Sequence, residues 1–151
     1  MSELTDLYQE VILDHNRAPR NFGVLEGADR HADGHNPLCG DQLRVYVVVE
    51  GEVVVDVGFE GTGCAISKAS ASLMTEAVKG KGVGAVGEMF RDFHELMTGD
   101  PSVRGEAGAK LGKLAVFEGV REFPVRVKCA TLAWHTLEAA LHSDGSVAST
   151  E

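Results

Sequence analysis

Three cysteines and one aspartate carry the metal and sulfur chemistry open to this sequence. Cys39 and Asp41 stand in Asn36-Pro37-Leu38-Cys39-Gly40-Asp41, Cys64 follows Gly61-Thr62-Gly63, and Cys129 follows Pro124-Val125-Arg126-Val127-Lys128. The thiolate is both the nucleophilic and the metal-binding form of cysteine. In an extended segment residues i and i+2 point to the same face, so Cys39 and Asp41 could reach one ion. Zinc takes four ligands in tetrahedral geometry, and Cys39, Asp41, Cys64 and Cys129 make a candidate set. Three thiolates and a carboxylate on a divalent ion leave a formal charge of −2, which Arg126 and Lys128 could partly offset. The alternative is that each cysteine packs as a small hydrophobe. Widely spaced single cysteines are also a weaker metal signal than paired CxxC motifs.

Each thiol is expected at an element boundary. Cys64 and Cys129 are predicted to open helices, where unpaired N–H groups and the helix dipole favour thiolate. Cys39 lies instead on a Pro-Leu-Cys-Gly loop, where Gly40 permits unusual backbone angles; if one thiol has to swing, it is Cys39. Among the histidines, His15, His94, His135 and His142 read as capping, surface or core contacts. His35, four residues before Cys39, stays open as a further ligand. Gly61-Thr62-Gly63 lacks the Gly-Lys-Ser/Thr of a phosphate loop, and neither HExxH nor GxSxG occurs.

The elements that must position these groups are legible in the hydrophobic pattern. Leu4, Leu7, Tyr8, Val11, Ile12 and His15 recur at three- and four-residue steps and predict an amphipathic helix over 4–16. Residues 17–23 form a loop, and a short extended segment follows around 28–35. Val45, Val47 and Val49 alternate with their neighbours, Glu50-Gly51-Glu52 interrupts, and a second β-branched run resumes at Val53, which predicts an antiparallel hairpin over 42–59. From Cys64 the period changes: Ile66, Ala69, Leu73 and Ala77 share one helical face. A glycine-studded region, 80–124, holds two short helical patterns, with Met89 and Met97 in the core rather than around a cofactor. Ala130, Ala133, Trp134, Leu137, Ala140 and Leu141 stripe the last helix. Residues 1–142 therefore form one domain with a helical, glycine-rich 80–124 region, and 143–151 are expected to be a flexible tail. A hairpin followed by segregated helices is an α+β architecture.

Composition bounds the function classes. A chain of 151 residues buries roughly 70% of its unfolded surface and needs no metal merely to build a core. A net charge of −9 argues against nucleic acid or an anionic membrane as partner. No apolar run reaches the length of a membrane-spanning helix, and the N-terminus lacks a basic signal-peptide region, so a soluble, cytoplasmic protein is expected. An odd number of cysteines disfavours a disulfide framework.

Four segments together resemble a known family: Leu7–His15, Asn36–Asp41, Gly58–Ser67 and Val127–Trp134 are similar to the IscU/NifU-like iron–sulfur cluster assembly proteins, in the family's order and over most of 4–142. The chain is closer to the SufU branch, because its Cys64–Cys129 separation is longer than in IscU proteins and Lys128 stands where they carry histidine. The resemblance implies a three-stranded antiparallel sheet packed on several α-helices. It also implies zinc held by Cys39, Asp41, Cys64 and Cys129, and persulfide sulfur accepted on Cys39 from a SufS-type cysteine desulfurase. A downstream iron–sulfur scaffold or thiol reductant would then remove the sulfur. Arg126 is a candidate for steering or stabilising the persulfide anion. The alternatives are a scaffold for a [2Fe–2S] cluster on the same ligands and a purely structural zinc domain.

Overall fold

The computed structural model describes residues 3–37, 40–99, 111–121, 123–142 and 147–149, without side chains for 3–8 and 147–149. Helix α1 (Glu3–Arg17) leads through a loop to β1 (Arg30–Asn36), β2 (Asp41–Glu50) and β3 (Val53–Thr62). There follow α2 (Ala65–Val78), α3 (Val83–Thr98), a 3-10 helix (Gly112–Val120), α4 (Pro124–His142) and β4 (Val147–Ser149). The sheet order is β3-β2-β1-β4. The three antiparallel strands and the helices packed on them are the α+β arrangement expected.

The predicted hairpin is β2–β3. Its two-residue loop closes between the paired residues Glu50 and Val53. Gly51 and Glu52 both take positive φ, 55° and 66°, the combination whose twist matches paired strands. Period-two alternation buries Leu43, Val45 and Val47 against the helices and leaves Gln42 and Arg44 in solvent. On that outer face Arg44 pairs bidentately with Asp33 across β1 and β2, at 2.6 and 3.1 Å, and the Tyr46 hydroxyl donates to Glu60.

β1 is less apolar than its neighbours because α4 lies directly on its backbone. A Cβ on Gly34 would come 1.9 Å from Thr136 Oγ1 and 3.2 Å from Leu132 Cδ1, so only glycine allows this approach. β1 pairs with β2 without interruption from Arg30↔Val47 to Asn36↔Asp41, which brings the two ends of the Cys39 segment together. Part of the expected flexible tail instead supplies β4, a three-residue strand parallel to β1.

Helix α2 is the centre of the helical layer. Ser67, Ala69, Ser70, Ala71 and Ser72 are all buried, and their small side chains let neighbouring helices close in. Ser70 Oγ donates to the Ala130 carbonyl of α4 at 2.5 Å. Around it Phe93 of α3 stacks on Trp134 at 5.4 Å and meets Phe117 of the 3-10 helix edge-on. Met97 is buried and Met89 packs on the same core, as the sequence pattern required. Among the described residues no helix is long and apolar enough to cross a membrane.

Candidate metal centre

Asp41, Cys64 and Cys129, far apart in sequence, converge: one carboxylate oxygen and the two Sγ atoms all lie within 4.8 Å of one another. Three elements deliver them. Asp41 is the first residue of β2 and is fully buried. Cys64 is the N-cap of α2, with φ −73° and ψ 168°, and its Sγ accepts the Ser67 N–H at 3.4 Å. That thiol therefore faces the free N–H groups of a helix start, which favour the anion.

Cys129 differs from expectation. It does not open the last helix, because α4 begins at Pro124, a residue suited to the first helical position since its missing N–H would have no partner there. Cys129 therefore sits in the second turn, fully buried. Its Sγ lies 3.6 Å from the Val125 carbonyl as a thiol donor. It owes its place in the site to the packing of α4 on the sheet, not to a helix terminus.

The carboxylate is fixed on both oxygens. Asp41 Oδ1 accepts the Cys64 backbone N–H at 2.9 Å, and Oδ2 accepts the Asn36 side-chain amide at 3.2 Å. The same Asn36 nitrogen donates to Cys129 Sγ at 3.5 Å, so one buried amide orients two members of the group. Gly63 admits the carboxylate, since a Cβ there would fall 2.6 Å from Asp41 Oδ1. Neither Asn36 nor Gly63 stood out as functional in the sequence. The only local signs were a polar residue and a glycine adjoining the cysteine motifs.

The donor set suits a thiophilic divalent ion. Tetrahedral zinc, with sulfur at about 2.3 Å and oxygen near 2.1 Å, needs ligand atoms roughly 3.5–3.8 Å apart, so donors already within 4.8 Å of one another need contract by no more than about 1 Å. Soft thiolates with one carboxylate fit zinc or an iron–sulfur unit better than magnesium or calcium, which take oxygen.

Cys39 lies outside the described residues. Arg126 is exposed on the first turn of α4. It lines a neighbouring hollow of about 450 Å³ with Gln9, Ile12, Ala65, Ile66 and Phe123. The open question of His35 resolves: it lies next to Asn36 on β1, so its side chain takes the other face of the sheet, where it lines a separate hollow with Asp33 and Arg44. His15 is buried in a network: its Nδ1 lies 2.7 Å from Ser72 Oγ, which also accepts the Arg20 backbone N–H. The Ser72 hydroxyl thus has its proton free for Nδ1, and burial holds His15 below the usual imidazole range. His135 is likewise held low, first by burial and then by the nearby His94; these two rings cluster with Phe90.

Comparison with known proteins agrees with this geometry. The NifU-like N terminal domain family matches residues 7–130. The chain is 44% identical over 140 residues to the zinc-dependent sulfurtransferase SufU of Bacillus subtilis, covering 91% of this chain and 90% of that protein. It is 37% identical over 141 residues to the iron–sulfur cluster assembly scaffold protein IscU of Streptococcus pyogenes, covering 93% and 86%. The crystal structure of a protein from Fervidobacterium islandicum, described as a scaffold for the SUF system, superposes with a TM-score of 0.77 at 38% identity, covering 87% and 94%. With the motifs, the fold and the converging donors in agreement, the chain belongs to the NifU-like N-terminal domain family.

Proposed function

We propose that this protein is a zinc-dependent sulfur acceptor in iron–sulfur cluster assembly, taking sulfane sulfur on Cys39 from a cysteine desulfurase. The observation that carries the proposal is the convergence of Asp41, Cys64 and Cys129 into one donor group, with Asp41 and Cys129 buried and Cys64 partly so. Three protein donors leave a fourth tetrahedral position, and Cys39 is the group to fill it. Two peptide units separate it from Asp41, so its Cα stays within about 7–8 Å of that residue's. The family's relatives include a zinc-dependent sulfurtransferase.

Bound there, zinc would supply positive charge that keeps thiols deprotonated without redox chemistry of its own. The chain's residues do the rest. Asp41, Cys64 and Cys129 hold their positions through the Asn36 amide and the α2 N-terminus, leaving Cys39 as the ligand free to exchange. The Cys39 thiolate attacks the terminal sulfur of the desulfurase's cysteine persulfide. A new S–S bond forms at Cys39, the old one breaks, and the desulfurase thiolate departs. Two-electron balance is kept without an outside oxidant. A reductant or downstream scaffold then removes the sulfur, and Arg126, exposed on the first turn of α4, is the candidate for stabilising the incoming anion.

The test is desulfurase turnover of cysteine with and without this protein. Wild type should stimulate, and Cys39→Ala should fold normally and give no stimulation; a stimulating alanine variant overturns the assignment. A second reading, transient assembly of a [2Fe–2S] cluster on the same residues, is favoured by the relatives named as scaffolds. Lys128 counts against it. Anaerobic reconstitution yielding a stable, transferable cluster would establish it instead.

A further inference from the structure

The sheet carries one element that the proposed chemistry does not use. β4 lies on the outer edge of β1, parallel to it, with Asp33↔Val147, Gly34↔Ala148 and His35↔Ser149 as partners. Parallel alignment means that both strands run toward the same end, and on β1 the next residue is Asn36, whose amide holds Asp41 and Cys129. The chain reaches this edge from α4, whose Leu141 carbonyl accepts Arg30 Nη1 at 2.6 Å where β1 begins. The last helix thus leads away from the donor group and β4 leads back.

The attachment is slight compared with the other strands. β2 and β3 run ten residues each and β1 seven, whereas β4 has three. Parallel pairing is also less stable per residue than antiparallel. Short edge pairing belongs to the low-stability end of a structure, which opens well before the core does. Opening it would bare the edge of β1 at Gly34 and His35 and free the strand end that sets Asn36.

We propose that Val147–Ser149 is a detachable strap: paired, it restrains the β1 corner that holds Asn36, Asp41 and Cys129, and released, it loosens that corner for ligand exchange. Its part in sulfur transfer rests on the function proposed above; its structural effect does not.

The experiment compares wild type with the double variant Ala148→Pro/Ser149→Pro. N–H groups of successive strand residues point to opposite sides, so removing both ensures that a ladder donor is lost. Two readouts use the metal-free protein and need no desulfurase. Edge-facing amides among Asp33–His35 should exchange roughly tenfold faster, and the buried Cys129 thiol should be alkylated roughly tenfold faster, while far-UV circular dichroism stays that of wild type. Unchanged amide exchange means that no strap forms. Faster amide exchange with unchanged Cys129 alkylation means that the strap does not govern the site. Either result overturns the inference, as does a variant that loses its secondary structure, because a detachable strand cannot be needed for the fold. A wild type that fails to stimulate the desulfurase overturns the sulfur-transfer proposal and leaves these two readouts standing.

Discussion

Replacing Asn36 by alanine isolates the contribution of the residue that ties the donor group together. The variant deletes an amide donating to Asp41 Oδ2 at 3.2 Å and to Cys129 Sγ at 3.5 Å, at a position with no solvent exposure. Asp41 keeps the Cys64 N–H on its other oxygen, so the carboxylate is loosened rather than released. Residues that orient metal ligands in this way typically change affinity 10–100-fold when removed, or about 1.4–2.7 kcal/mol. Fold stability should fall by about 1–3 kcal/mol as well, the cost of a buried acceptor losing a donor. Zinc affinity is read by competition with a chromophoric chelator at pH 7.5, and stability by urea denaturation of the metal-free protein. Weaker binding with the cysteines still reactive is the expected result. Zinc affinity within twofold of wild type would refute the role given to Asn36, whatever happens to stability.

Three further outcomes follow from the same geometry. Gly63→Ala should weaken zinc binding at least tenfold, because its Cβ would displace Asp41 Oδ1 from 2.6 Å; titration by the same competition checks it, and unchanged affinity would show that the carboxylate moves aside freely. His15 has its folded pKa lowered by burial, so below about pH 6.5 the unfolded chain binds a proton that the folded chain resists. Stability is therefore full above that pH and declines as pH falls toward the folded value; urea midpoints from pH 7.5 to 5.5 should drop less for His15→Gln than for wild type. Chelation of bound zinc should leave the circular dichroism spectrum intact, since a core of residues such as Val45, Phe59, Phe93 and Trp134 does not depend on the ion, whereas a purely structural zinc domain would unfold.

Much of this molecule is written in local pattern. The β2–β3 hairpin is visible in the alternation of Val45 and Val47 about Gly51, and α1, α2 and the stripe on α4 are visible at helical spacing, because burial of one face imposes a period on neighbours in sequence. The cysteines and Asp41 could be named as candidates from residue type alone. The convergence of Asp41, Cys64 and Cys129 could not be read there, since the Asn36–Cys129 contact joins residues 93 apart and no periodicity encodes such a pairing. Pro124 and the alternation along β1, both local signals, set Cys129 in the second turn of α4 and His35 on the opposite face, whereas tertiary packing gave Asn36 and Gly63 their roles and placed β4 on the edge of β1. Sequence thus determined which elements form and which side chains can do chemistry. The folded chain decided which of them meet, because α4 closes on β1 only where Gly34 leaves room for Thr136.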